Sequence, residues 1–390
     1  MTDVGVIPED WEVITLDNLG KFSKGAGISK SEANSGTIKA IRYGELYTTH
    51  DYIIKRYESF ISQEVANKSK KLIKGDIVFA CSGETKEEIG KCAAFIDEYE
   101  VYAGGDIIIF SPTSNTDSCY LGYILNSSSS IDQKSSSAQG DSVVHVSADS
   151  IRKIQIPMPD FSEQQAIADA LTKVDNLIMS LSKVIEKKKL IKKGAMQKLL
   201  SGEMRLDGFE GEWIKIKLGD ISSIKTGSRN VEEHSANGKY PFFVRSKEVM
   251  KINTFSYDEE AILVPGEGGI GEIFHYVNGK FDVHQRVYKI SDFNDKVNAL
   301  FIYWYMIIFF GEYAKENTVK ATVDSLRLPT FTDFICCLPP TKAEQTAIAK
   351  VLTTMDNEIE ALEKERDKYK CIKQGMMQQL LTGKIRLICQ

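Results

Sequence analysis

No two cysteines of this chain form a CxxC pair, and the seven present are odd in number: Cys81, Cys92, Cys119, Cys336, Cys337, Cys371 and Cys389. That pattern argues against a zinc site or a disulfide framework and suits free thiols in a reducing compartment. Histidine is scarcer still: the five residues are scattered without metal-ligand spacing. Long apolar runs are missing too. The longest, Ala299 to Phe310, falls well short of the ~20 residues that span a bilayer, so it is expected to be a core helix. The opening MTDVGVIPED is acidic and lacks the apolar stretch of a signal peptide. A cytoplasmic chain with no membrane segment is the expectation.

Catalytic signatures are equally sparse. There is no GxxxxGK[ST] phosphate loop. Leu338-Pro339-Pro340-Thr341 lacks the polar first residue of an amino-methyltransferase tetrapeptide, and Asp160-x-x-Glu163 lacks the lysine of a nuclease motif. The glycines of 266–271 match GxGxxG, but the following EIFHYV reads as a strand, where a dinucleotide fold needs a helix. A tight glycine turn is expected there. These absences predict a chain with no catalytic centre, metal or cofactor of its own. Nor is there an excess of positive charge: 49 basic residues against 54 acidic give a net charge of −5. That excludes a non-specific nucleic-acid coat. Any nucleic-acid site must be a local groove or be completed by a partner.

What the chain does have is an internal repeat, which takes precedence because it fixes the architecture. EQQAIADALTKVDNLI (163–178) matches EQTAIAKVLTTMDNEI (344–359), and IKKGAMQKLLSGEMRL (191–206) matches IKQGMMQQLLTGKIRL (372–387). Both pairs share an offset of 181 residues, and about half the positions are identical. A weaker repeat precedes each copy: Trp11-x4-Leu16 running to Lys24-Gly25, and Trp213-x4-Leu218 running to Thr226-Gly227. The order is variable block, repeated helix, variable block, repeated helix.

Each repeated segment predicts a long helix. Prolines end the segments before it, Ser162-x-x-Gln165 and Thr341-x-x-Glu344 read as capping boxes, and Gly202 and Gly383 sit at the expected C-terminal caps. Ile167, Leu171, Val174, Ile178, Leu181 and Ile185 step by four and three, as do Ile348, Leu352, Met355, Ile359 and Leu362. That is the seam of a coiled coil. A chain that leaves one block and returns from the other pairs its helices antiparallel. The other possibility is an ordinary amphipathic core helix used twice.

The blocks are mixed. Strands are expected near 76–80, 107–110, 261–264 and 287–290, helices at 118–126 and 297–315, and a mobile loop at the serine-rich 127–137. Polar loops at 25–36 and 227–238 have the composition of surfaces that display base-reading side chains. DNA-contact candidates in the first block are Lys24, Lys30, Lys39, Arg42, Tyr43, Lys86, Lys91, Gln139 and Ser142. In the second they are Thr226, Ser228, Arg229, Asn230, Arg245, Lys247, His284, Gln285, Arg286, Lys320 and Thr322. Arginine suits guanine O6/N7 and asparagine suits adenine N6/N7. A solvated surface role stays open for each of them.

With these pieces the chain resembles the specificity subunit of type I restriction-modification systems. The resemblance rests on Ile7-Pro8-Glu9-Asp10-Trp11, the paired E-Q-x-A-I-A motifs at 163–168 and 344–349, the paired Q-x-L-L-x-G motifs at 197–202 and 378–383, and GFEGEWIKIKLGDI at 208–221. It implies an α+β protein with a pseudo-two-fold internal repeat. Two mixed α/β target-recognition domains, 1–159 and 207–340, would be separated by two long helices forming an antiparallel coiled coil, the first in 160–206 and the second, followed by a C-terminal tail, in 341–390. Each domain would read one half of a bipartite, asymmetric double-stranded DNA site, and the helices would set the spacer. The partners would be two methyltransferase subunits that use S-adenosylmethionine and two motor/nuclease subunits that use ATP and Mg. The competing class is a coiled-coil adaptor with no DNA role; sequence-selective DNA binding in the presence of partners separates the two.

Overall fold

The computed structural model describes residues 4–113, 115–140, 143–317 and 325–387. The chain divides into two compact units. Unit 1 comprises Met1–Ser180 and Glu365–Gln390; unit 2 comprises Leu181–Lys364.

Two four-stranded sheets, beside two short two-stranded ones, build the block of unit 1. Strands β1 (Gly20–Lys24), β2 (Ile38–Ile41), β3 (Ile77–Ala80), β4 (Cys92–Ala94), β5 (Val101–Ala103) and β6 (Ile107–Pro112) carry most of it. One sheet has the order β1-β6-β3-β4 and is antiparallel throughout. The other places β2 parallel to β5, between short flanking strands. The buried run Ile77-Val78-Phe79-Ala80 is a central strand, as its continuous β-branched and aromatic character requires. Helices α1 (Ser118–Ile124) and α2 (Ser128–Ser136) follow. α2 corrects the expected mobile loop at 127–137. Ser127 caps it by accepting from Ser130 N, and the fully buried Lys134 anchors it by donating to Gly90 O and Leu125 O, each at 2.8 Å. Serine composition signalled a loop; the cap and one buried lysine override it.

The long helix α3 (Phe161–Ser201) starts in unit 1 and ends in unit 2. Unit 2 then forms one six-stranded sheet. Its main strands are β7 (Ser223–Thr226), β8 (Tyr240–Phe243), β9 (Tyr257–Pro265), β10 (His275–Val283) and β11 (Val287–Ser291), in the order β7-β11-β9-β10-β8 with a short edge strand beyond. The apolar run is α4 (Ala299–Glu316), a core helix as expected. No helix among the described residues is long and apolar enough to cross a membrane. The second long helix, α5 (Lys342–Leu380), starts in unit 2 and ends in unit 1.

In each unit the local halves of α3 and α5 pair antiparallel. Unit 1 joins Glu163 to Arg386 and Asp175 to Lys373. Unit 2 joins Lys188 to Glu358, Lys192 to Asp356 and Arg205 to Glu344. Of the seam, Ile167, Leu171, Ile185, Ile348, Leu352 and Ile359 are buried, and Val174, Ile178, Leu181, Met355 and Leu362 are half-buried. The first turns do more than pair. Ile167 and Leu171 sit in one core with Trp11, Phe79, Tyr120 and Leu380; Ile348 and Leu352 sit in the other with Leu199, Phe301, Trp304 and Phe331.

The repeated motifs are explained by the contacts they make. Glu163 is buried and takes a two-pronged ion pair from Arg386 (2.8 and 2.7 Å) and a bond from Trp11 Nε1 (3.1 Å). Its counterpart Glu344 takes the fork of Arg205 (2.5 and 2.7 Å). The next residue ties the helix to its block: Gln164 accepts from Asp117 N and donates to Pro159 O, while Gln345 accepts from Asn298 N and donates to Pro339 O. Asp117 and Asn298 are themselves the caps of α1 and α4. Hence Glu-Gln at each helix start and Arg-Leu after each helix end. The first capping box is corrected accordingly. Asp160 caps α3, accepting from Glu163 N at 2.9 Å, and Ser162 donates to that same carboxylate. Thr341 does cap α5, accepting from Glu344 N at 3.3 Å. Neither glutamate turns back on its cap, because each is held by an arginine.

Gly202 and Gly383 end the helices at φ +77° and +68°. A Cβ on Gly383 would lie 2.4 Å from the Pro8 ring, so close approach as well as backbone conformation demands glycine.

Candidate nucleic-acid interface

Strand register superposes the two blocks residue on residue. Ile41 pairs with Ala103 and its carbonyl accepts from Gly104 N; Phe243 pairs with Val283 and its carbonyl accepts from His284 N. Gly25 N donates to Ile107 O, and Gly227 N to Val287 O. Cys81 N donates to Asp106 O, and Gly266 N to Arg286 O. Val146 N donates to Cys81 O, and Leu326 N to Gly266 O. The turn Gly104-Gly105-Asp106 of unit 1 is therefore His284-Gln285-Arg286 in unit 2. Gly25 and Gly227 are obligatory at the crossing: a Cβ would stand 1.9 Å from Gly104 O in one and 2.2 Å from Val283 O in the other.

In unit 2 this rim gathers candidates that are distant in sequence. Gln285 Nε2 donates to Asn230 Oδ1 at 2.7 Å, and Gln285 N donates to Arg229 O at 2.9 Å. The Arg229 guanidinium is spent on Asp282 (2.9 Å), Glu233 (2.9 Å) and Thr254 (3.3 Å). It braces the loop that holds Asn230 exposed. Thr226, the last residue of β7, and Ser228, on the same loop, are exposed. Arg245 follows β8, and Arg286 lies in the β10–β11 turn; both reach the carboxylate of Glu267, at 3.3 and 2.7 Å. His284 accepts from Arg286 N through Nδ1 at 3.0 Å. Burial, and then the charge of Arg245, pushes its pKa down, so the ring is neutral and its Nε2 carries the proton. Lys247 is exposed beyond Arg245. Lys320 and Thr322 lie outside the described residues.

In unit 1 the equivalent rim surrounds a cavity of about 570 Å3 lined by Lys24, Ser82, Asp106, His145 and Arg152, among others. Ser82 Oγ and His145 Nδ1 are 3.0 Å apart. Gln139 exchanges both backbone hydrogen bonds with His145. Tyr43 is exposed at the end of β2. Other candidates are placed apart from this cavity. The Lys39 ammonium sits 3.2 Å from the centre of the Tyr99 ring. Arg42 bonds Glu45 and Ser59, and Lys91 pairs with Asp51 at 3.4 Å. Lys30 and Lys86 are exposed on loops. Ser142 lies outside the described residues.

Sequence reasoning missed Ser82, Asp106, His145, Arg152 and Glu267. A signal existed for Glu267, which stands inside the glycine run that the sequence marked as a turn. Gly268, Gly269 and Gly271 there all have positive φ. Among the described residues no group of three His, Cys, Asp or Glu side chains is placed to hold a metal ion.

A duplicated scaffold with unlike rims and long paired helices defines a two-block recognition protein. The chain belongs to the family described as type I restriction modification DNA specificity domain, whose model matches residues 8–192 and 210–368. It is 26% identical to the type I restriction enzyme MjaVIII specificity subunit of Methanocaldococcus jannaschii over 98% of this chain and 94% of that one. It is 31% identical to the EcoDI specificity subunit of Escherichia coli over 44% of this chain and 37% of that one. Its fold matches the crystal structure of the type I restriction-modification S subunit from M. genitalium, with TM-score 0.70 and 17% identity over 97% and 99% of the two chains.

Proposed function

We propose that this chain is the sequence-specificity subunit of a type I restriction-modification complex. Each block reads one half of a bipartite, asymmetric DNA site. The paired helices set the spacer and dock two methyltransferase subunits, which use S-adenosylmethionine to methylate adenine at N6. Two motor/nuclease subunits, dependent on ATP and Mg, complete the restriction complex in the cytoplasm. The chain itself recognises and contributes no catalytic group.

One observation carries this: the glutamate–arginine clamps and glutamine ties are the same in both units, while the rim turns are Gly-Gly-Asp in one and His-Gln-Arg in the other. Two readers of one sequence would carry like rims; an adaptor would have no reason to keep the clamps and ties while its rims diverge. Exposed apolar side chains on α3 support partner docking. Leu190 is 65% and Ile191 51% exposed, and such side chains in a cluster mark interaction surfaces.

The test is co-expression with the methyltransferase subunit, followed by genome-wide mapping of methylated adenines. Exchange of residues 12–155 for another member's block is expected to change one half-site and keep the other. Two unchanged half-sites would remove block 1 as a reader. Absence of any sequence-selective binding by the assembled complex would leave the adaptor alternative.

A further inference from the structure

Register and hydrogen bonding place four pairs of residues at the same fold positions around the two rims: Tyr43 with Arg245, Ser82 with Glu267, Asp106 with Arg286, and His145 with Ser325. Resting on the DNA-reading role above, we infer that Arg245, Glu267 and Arg286 form a preorganised device that reads a guanine in the half-site of unit 2, with Arg286 as the fork.

Three observations lead there. First, Arg286 is fixed at its backbone on both sides: its N donates to His284 Nδ1 at 3.0 Å, and its O accepts from Gly266 N at 2.9 Å. Second, Glu267, with its side chain only 20% exposed, bonds NH1 of both Arg286 and Arg245, whose side chains are 59% and 48% exposed. With its NH1 turned to Glu267, the half-exposed Arg286 guanidinium keeps Nε and NH2 for a base edge, and that fork matches guanine O6 and N7. Third, the fold-equivalent residue in unit 1 is Asp106. A backbone phosphate presents the same charge to both blocks, so a phosphate-contacting position would not carry an arginine in one and a carboxylate in the other. A base edge differs between half-sites, and a carboxylate accepts from an exocyclic amine as readily as an arginine donates to guanine. The shared carboxylate also leaves the two arginines a net charge of only +1, a better match to a neutral base edge than to a phosphate.

The experiment uses the complex of the full chain with its methyltransferase subunits and a duplex carrying the mapped site. Arg286→Ala is expected to relax discrimination at one G·C pair of the unit 2 half-site by about 5- to 150-fold, leaving the unit 1 half-site as strict as before. Arg286→Lys keeps the charge but loses the fork, and is expected to relax the same pair. Glu267→Gln is expected to relax it less. If Arg286→Ala weakens all sequences equally and lowers the salt-dependence slope by about one, while Arg286→Lys keeps both affinity and slope, the arginine holds a phosphate and the inference is overturned, with the function intact. Full discrimination retained by Arg286→Lys overturns it as well. A wild-type complex that binds every sequence alike overturns the function and this inference together.

Discussion

Glu163 and Glu344 are buried carboxylates that each depend on one arginine. Removing the negative charge at Glu163 leaves the exposed Asp10, 2.7 Å away, as the carboxylate paired with Arg386 among the described residues. Hydrogen bonds to charged groups contribute about 1.5–3 kcal/mol. Glu163→Gln is therefore expected to destabilise unit 1 by roughly that amount, visible as a lowered urea midpoint, while removal of an exposed pair such as Glu64–Lys68 leaves the midpoint nearly unchanged. Lys134 gives a pH signature. Burial pushes its pKa below the ordinary 10.5, so the native chain binds fewer protons than the unfolded chain between the folded pKa and 10.5. The native state then gains stability as pH rises through that window. Relative to Lys134→Met, the natural chain should gain stability as the pH rises toward the ordinary lysine value of 10.5, measured as the difference between the two unfolding free energies across pH. A flat difference would place the lysine in water.

At the scale of elements, the helices were legible in the sequence to within a few residues because period, cap and glycine agree at every level. Strand pairing was not. The parallel partners β2 and β5 are about sixty residues apart, and no local pattern encodes such a contact. Glu344 read as a local capping-box partner, yet its arginine is Arg205, 139 residues away, and the arginine that holds Glu163 at the other helix start lies 223 residues from it. The candidate rim was half legible: Arg245, His284, Gln285 and Arg286 were visible as polar residues, but Glu267, the carboxylate that organises two of them, was hidden among glycines. For the helix surface, Leu190→Glu with Ile191→Glu is expected to leave the melting temperature of the chain within a degree or two, since both side chains already face water. The same pair should cut methyltransferase capture in a pull-down by tenfold or more. Unchanged capture would move the docking surface elsewhere.

For the molecule as a whole, a helix pair that sets the spacer must translate added length into base pairs. One heptad inserted into each of α3 and α5 keeps the seam in register and adds about 10.5 Å at ~1.5 Å per residue. The mapped spacer should grow by about three base pairs at ~3.4 Å each. An unchanged spacer would take the measuring role away from the helices.

The interleaved division of the chain has a consequence for its birth. Residues 181–364 hold everything that unit 2 needs, whereas unit 1 begins at the N-terminus and waits for Glu365 onward, including Arg386 and Leu387, whose groups reach Glu163. Since domains fold as units during synthesis, the block made first is finished last. A stop codon just before Arg386 should accordingly yield a protein in which residues 181–364 resist protease while residues 4–180 are nicked early, so the damage from a lesion at one end of the gene surfaces at the other end of the polypeptide.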